Sequence, residues 1–138
     1  MTTPQYTLQV LAAYEGEVAG AAYFEALTLA YPQQSAFLEK CAALERATAG
    51  QLSALVQKYQ MMPRSQGALV ERGAFDARME AGRDWMELLR QSISSYAKYV
   101  TAFEALEAIG PAEDQPVLAA LTAHEVRLIE WMKAEIVL

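Results

Sequence analysis

The feature that most constrains this chain is a pair of apolar stripes at helical spacing, one on each side of Pro32. Apolar side chains recur at steps of three and four residues, which is the pattern of an amphipathic helix. The proline leaves room for only a short connection, so the two helices are expected to pack antiparallel as a hairpin. The stripes comprise Val10, Leu11, Tyr14, Val18, Ala21, Phe24, Leu27 and Tyr31, and then Leu38, Cys41, Leu52, Leu55 and Tyr59.

Local signals mark the ends of the first two predicted helices, A and B. Thr3 is a side-chain acceptor placed to cap helix A, and Pro4 fits the first helical position because the amide hydrogen it lacks is not needed there. Helix A is predicted to run to about Tyr31, and Ser35 is predicted to cap helix B. From about residue 60 to residue 73 the periodicity breaks at several Met, Pro and Gly residues, which predicts a long non-helical crossover.

Two further predicted helices, C and D, form a second hairpin. Asp76 is the expected cap of helix C, which ends before Gly110 and Pro111. Asp114 and Pro116 then begin helix D. Apolar residues again follow helical spacing in both segments. Two hairpins joined by one long crossover predict an all-α up-and-down bundle in which the crossover returns the chain along the first hairpin.

Composition limits the class of protein. With 54% hydrophobic residues, residues 1–138 are expected to form a single domain with a full core. A formal net charge of −6 disfavours nucleic acid and anionic membrane surfaces as partners. A lone cysteine, Cys41, the lack of a signal-peptide pattern and the lack of a long apolar run predict a cytoplasmic protein that does not span a membrane.

Ionisable residues interrupt the apolar stripes at four positions. Glu17 and Glu45 lie on the facing stripes of the first hairpin, at heights that differ by about one helical turn. His124 and Glu125 lie within the apolar face of helix D, and the predicted crossover brings them near the level of Glu17. A buried carboxylate needs a cation, a hydrogen-bond donor or a proton to offset its lost hydration. These residues are therefore candidate ligands of a metal ion.

The segments that carry these residues resemble those of the ferritin-like and rubrerythrin-like superfamily across nearly the whole chain. The resemblance implies a ferritin-like four-helix bundle, and it implies two irons bound by a glutamate on each of helices A and C and a Glu-x-x-His on each of B and D. Glu17 matches the helix A glutamate and Glu45 matches that of helix B. The matching segments are Tyr14–Gly20, Leu44–Thr48 and Ala123–Glu125.

Departures from the superfamily pattern change the expected ligand set. Thr48 stands where helix B should supply histidine, and Leu121 stands where helix D should supply glutamate. The helix C glutamates, Glu104 and Glu107, lie one to two turns nearer the bundle end than His124. The predicted site therefore holds iron or another divalent metal through Glu17, Glu45, His124 and Glu125, with Thr48, Tyr96 and Tyr99 as possible second-sphere neighbours.

Three functions compete at this point. The first is a metal-dependent oxidoreductase that handles oxygen or peroxide. The second is a metal-free bundle in which the carboxylates share a proton or bond to nearby side chains, and which acts as a homodimer through exposed apolar residues. The third binds a small molecule in a cavity between the hairpins. The proposed bonding partners are Tyr14, Tyr23, Tyr96, Tyr99 and Arg46, and the apolar dimer residues are Met61, Met62, Trp85 and Trp131.

Several single residues can also be explained by a structural role without metal binding or catalysis. The Thr48 hydroxyl is expected to bond to the backbone one turn back in its helix. Glu104 and Glu107 are expected on a solvated face, and Cys41 is expected to be a small packed hydrophobe without chemistry.

Overall fold

A computed structural model describes residues 2–136, and most of these residues are helical with no β-strand among them. The all-α prediction is therefore confirmed. Five α-helices occur in this part of the chain, rather than the four predicted. They are α1 (Pro4–Ala30), α2 (Ser35–Lys58), α3 (Gln66–Glu80), α4 (Trp85–Ile109) and α5 (Gln115–Glu135).

The first hairpin has the predicted ends and direction. The Thr3 hydroxyl oxygen accepts the N–H of Tyr6 at 3.2 Å, so the predicted cap of α1 is confirmed. One turn of 3-10 helix, Pro32–Gln34, connects α1 to α2. Near the other end of the hairpin the rings of Tyr6 and Tyr59 meet edge to face at 5.9 Å, as an antiparallel pair requires.

The cap predicted at Ser35 is wrong by one residue. Ser35 is already the first helical residue of α2, and Gln34 occupies the cap position without a side-chain hydrogen bond to the helix. The preceding 3-10 turn explains the difference, because the Ser35 N–H bonds back to the carbonyl of Pro32 and the backbone is already helical there.

The prediction of a non-helical crossover is wrong over most of its length, since α3 covers Gln66–Glu80. Ser65 caps this helix, with its hydroxyl oxygen accepting the N–H of Ala68 at 3.1 Å. Asp76, expected to cap helix C, lies inside α3. Asp84 caps α4 instead, through a 3.4 Å bond to the N–H of Glu87.

The crossover does return the chain along the first hairpin, as predicted. Near its start, Gln66 Nε2 donates to the Tyr14 hydroxyl at 3.2 Å. At its end, the Tyr31 hydroxyl donates to the carbonyl of Glu80 at 3.1 Å. Because both contacts follow the same order along the two helices, α3 packs parallel to α1.

Gly73 allows α3 to approach the backbone of α1. A Cβ atom at this position would lie 2.2 Å from the carbonyl oxygen of Ala19 and 2.8 Å from the amide nitrogen of Tyr23. Backbone atoms of a helix cannot move aside as a flexible side chain can. The close packing of these two helices therefore depends on the missing side chain.

The chain forms two compact units. The N-terminal unit comprises Thr3–Gly82, in which α1 packs against both α2 and α3. The C-terminal unit begins at Arg83 and contains the packed pair α4 and α5. The single domain expected over residues 1–138 stays a prediction. Among the described helices, none has an apolar stretch sufficient to cross a bilayer.

The turn between α4 and α5 follows the predicted signals. α4 ends before Gly110, and Gln115 Nε2 donates to the carbonyl oxygens of Glu107 and Gly110 at 2.8 and 3.1 Å. These bonds satisfy carbonyl groups that a helix end leaves without an intrahelical partner. α5 then begins at Gln115, with Pro116 in its first turn as predicted. The largest fully buried side chains of the pair are Leu89, Leu118, Leu121 and Leu128.

The variant Gly73→Ala should lower stability, because its methyl group collides with the α1 backbone. We expect a loss of about 1–3 kcal/mol in the free energy of unfolding, measured by urea denaturation followed by circular dichroism. Gly67→Ala is the matched control in the same helix, since a Cβ there meets nothing within 4 Å. The control should be neutral or slightly stabilising. Equal midpoints for the two variants would contradict the close contact.

Candidate metal site

Two buried glutamates meet in the first hairpin. Glu17 on α1 is 5% exposed and Glu45 on α2 is 6% exposed. One carboxylate oxygen of each lies within 4.8 Å of one oxygen of the other. The helical register predicted this meeting, because it places both residues on facing stripes at heights that differ by only about one helical turn. The two carboxylates form the acidic pair discussed below.

The local packing explains how Glu45 reaches α1. An ideal Cβ atom at Gly20 would lie 2.8 Å from Glu45 Oε1 and 3.2 Å from its Cδ. The carboxylate thus lies against the α1 backbone at Gly20, one helical turn beyond Glu17. Neighbouring positions on both helices are apolar and buried, namely Val10, Ala13, Phe24, Cys41 and Leu52.

The electrostatics of the acidic pair are unfavourable when both groups are ionised and nothing offsets them. Two unit charges within 4.8 Å repel by at least about 3 kcal/mol at an effective dielectric constant of about 20. Burial adds the cost of lost hydration, and Glu17 Oε1 is closed to solvent. A hydrogen-bond donor, a shared proton or a bound cation offsets these costs. A pair that binds a cation or shares a proton has a chemistry that an exposed glutamate lacks.

The predicted residues His124 and Glu125 are both 4% exposed and lie on α5 in the C-terminal unit. The two side chains are in contact, with His124 Nε2 at 3.3 Å from Glu125 Oε2. His124 Nδ1 bonds to the carbonyl oxygen of Leu121. Since a carbonyl can only accept, the hydrogen of that bond is on Nδ1.

The bond to the Leu121 carbonyl determines which nitrogen of the His124 ring is available to bind a metal ion. With a hydrogen on Nδ1, the neutral ring presents a lone pair on Nε2, the arrangement typical of a histidine that ligates a metal. The charged ring instead donates from Nε2 to the Glu125 carboxylate. The Phe103 ring lies 6.2 Å away at 31° to the imidazole, so the histidine is held within a packed environment.

The three possible second-sphere residues have different environments. Thr48 is buried, and its hydroxyl donates to the carbonyl of Leu44 at 2.9 Å, which confirms the expected bond to the preceding turn. Tyr96 is half-buried, whereas Tyr99 is 51% exposed. The two tyrosine rings lie 6.4 Å apart on α4. A second-sphere role for the tyrosines stays a prediction.

Some predicted polar neighbours of the acidic pair bond elsewhere. Arg46 forms an ion pair with Glu25, and both side chains are more than half exposed. The Tyr14 hydroxyl accepts from Gln66 instead. Glu104 is exposed and Glu107 is half-buried, and Cys41 is a fully buried free thiol, as its interpretation as a packed hydrophobe predicts.

Sequence reasoning missed the burial of Glu15, which is 8% exposed. Its Oε2 accepts the backbone N–H of Arg64 at 2.8 Å, and its Oε1 accepts from the Arg64 guanidinium at 3.2 Å. The residue lies off the main apolar stripe of α1, on the side that meets α3. Only a prediction of α3 would have revealed it. The Arg64 guanidinium is therefore the counter-charge of Glu15, and the two bonds hold the segment before α3 against α1.

Comparisons of the chain with protein-family models, with curated proteins and with solved structures find no match.

Proposed function

We propose that this protein binds a divalent metal ion through Glu17 and Glu45, and the sequence-based expectation that His124 and Glu125 are further ligands stays a prediction. The observation that carries the proposal is the acidic pair: two buried carboxylates whose oxygens lie within 4.8 Å of one another. A divalent cation offsets the charge of both groups at once. Because the bound cation relieves the repulsion and compensates for the lost hydration, the acidic pair favours cation binding.

The donor set suits iron or another first-row divalent metal. Carboxylate oxygens and a neutral imidazole are ligands that iron, manganese and zinc accept. The carbonyl of Leu121 orients the His124 ring by holding the hydrogen on Nδ1, which is the usual outer support of a metal-bound histidine. Thr48 is engaged with the backbone and is a poor ligand beside imidazole. These residues fit one ion with open coordination positions better than a complete two-iron site.

A redox-active metal with open positions supplies oxygen or peroxide chemistry, so we propose an oxidoreductase role. The chain's own residues would hold the ion, orient the imidazole and keep bulk water away from the buried carboxylates. The resemblance to the ferritin-like superfamily motivates this class of reaction, and the ferritin-like arrangement of four main helices stays a prediction. A cytoplasmic location without nucleic-acid or membrane partners also stays a prediction.

Metal content tests the proposal directly. Protein produced with added iron and purified without chelator should retain about one equivalent of Fe, Mn or Zn by elemental analysis. Glu17→Gln and Glu45→Gln keep the side-chain shape but remove a charge, so each should lower metal affinity by more than about tenfold. His124→Ala tests whether the imidazole contributes to the same site.

Glu104→Gln is the control, because it removes the same charge from an exposed position of α4. It should bind metal as the wild-type chain does. Retention of less than about a tenth of an equivalent by the wild-type chain would contradict the proposal and favour a metal-free acidic pair that shares a proton.

A metal-free chain that binds a small molecule is the second candidate function. A groove of about 420 Å³ runs between α1, α2 and α3, so it lies inside the N-terminal unit rather than between hairpins. Apolar Val18, Ala21 and Ala49 line it, with the Glu25–Arg46 ion pair at its edge. A ligand at 100 times its dissociation constant should stabilise the protein by roughly 2.7 kcal/mol, detectable in a thermal-shift screen. Ala49→Leu narrows the groove and should abolish the shift.

We also propose that the protein forms a homodimer through exposed and half-buried apolar side chains. Met62 is 88% exposed, while Met61, Trp85 and Trp131 are half-buried. Burial of such residues against a second copy would be favourable. Light scattering should give twice the monomer mass, and Met62→Glu should shift the equilibrium towards the monomer. A strict monomer at the highest attainable concentration would contradict this.

A further inference from the structure

We infer that Gly20 is a positioning residue of the acidic pair, because its missing side chain provides the space in which the Glu45 carboxylate lies. This inference rests on the proposed metal site and adds a residue that is not itself a ligand. Gly20 acts by setting where Glu45 presents its oxygens to an ion beside Glu17.

The end of the Glu45 side chain lies very close to the α1 backbone at Gly20. A Cβ atom there would approach Glu45 Oε1 at 2.8 Å, Cδ at 3.2 Å and Cγ at 3.6 Å. The first distance is shorter than a van der Waals contact allows. The carboxylate of Glu45 therefore occupies the volume that any larger residue at position 20 would require.

The backbone does not account for a glycine at this position. Gly20 lies inside α1, and none of the described glycines has a positive φ. Alanine would stabilise a helix interior by roughly 0.5–1 kcal/mol relative to glycine. The chain thus gives up helix stability at the point where a methyl group would displace the Glu45 carboxylate.

Two other glycines show that this role is specific. Gly73 faces backbone atoms of α1, which cannot move aside, so its role is structural. Gly16, one turn before Gly20 on the same helix, would meet nothing within 4 Å. At Gly20 the neighbour is the end of a flexible side chain. Alanine at position 20 should therefore leave the fold intact and move the carboxylate.

The test compares Gly20→Ala with Gly16→Ala in titrations of the metal-free protein with Co²⁺. Gly20→Ala should weaken Co²⁺ binding by about tenfold or more, in the range seen when groups that orient metal ligands are removed. The visible absorption of bound Co²⁺ should change in intensity and position, because the ligand geometry changes. Gly16→Ala should match the wild-type protein in both readouts. Circular dichroism should show both variants folded and no less heat-stable than the wild-type protein.

Each other outcome overturns the inference. If the wild-type chain binds Co²⁺ and Gly20→Ala matches it in affinity and spectrum, Gly20 does not position Glu45, and the proposed function stands. If Gly20→Ala fails to fold, the contact is a structural one like that of Gly73. If the wild-type chain itself does not bind Co²⁺, both the proposed metal site and this inference are wrong.

Discussion

The N-terminal hairpin brings two acidic groups together away from water, and the site depends on how that charge is offset. Glu17 and Glu45 are both nearly inaccessible, with oxygens within 4.8 Å. Helix register brings the two residues near each other, since the antiparallel hairpin places them on facing stripes at heights that differ by about one helical turn. Because an ionised pair is costly without compensation, a hydrogen-bond donor, a proton or a cation must offset its charge in the folded hairpin.

Gly20 on α1 and Gly73 on α3 each make room for a close contact, but the contacts are of different kinds. Gly73 lets two helix backbones touch, which fixes the path of the crossover along the hairpin. Gly20 instead admits the end of an acidic side chain. Glu15, on the same helix, shows the ordinary solution for a buried acid, since Arg64 neutralises it directly. One helix therefore carries a neutralised structural acid and, two residues later, a member of the acidic pair.

Much of the fold was predictable because its signals are local. Thr3 with Pro4 and Gly110 with Pro111 mark helix ends through capping and backbone restriction, and the structure has those ends. α3 was missed because Gly67 and Gly73 within it look like helix breakers, although the packing against α1 favours glycine at one of them. The acidic pair was predictable from the period of 3.6 residues, whereas Glu15 was not, because its partner Arg64 comes from the unpredicted part of the chain.

The most direct test of the account is to observe the acidic pair while a paramagnetic ion is added. In protein labelled with ¹³C at the glutamate carboxyl groups, small amounts of Mn²⁺ should broaden the resonances of Glu17 and Glu45 first. Exposed glutamates such as Glu71 and Glu104 should remain sharp at the same concentration. Broadening that begins at the exposed glutamates, or that spreads evenly over all of them, would contradict a metal site at the buried pair.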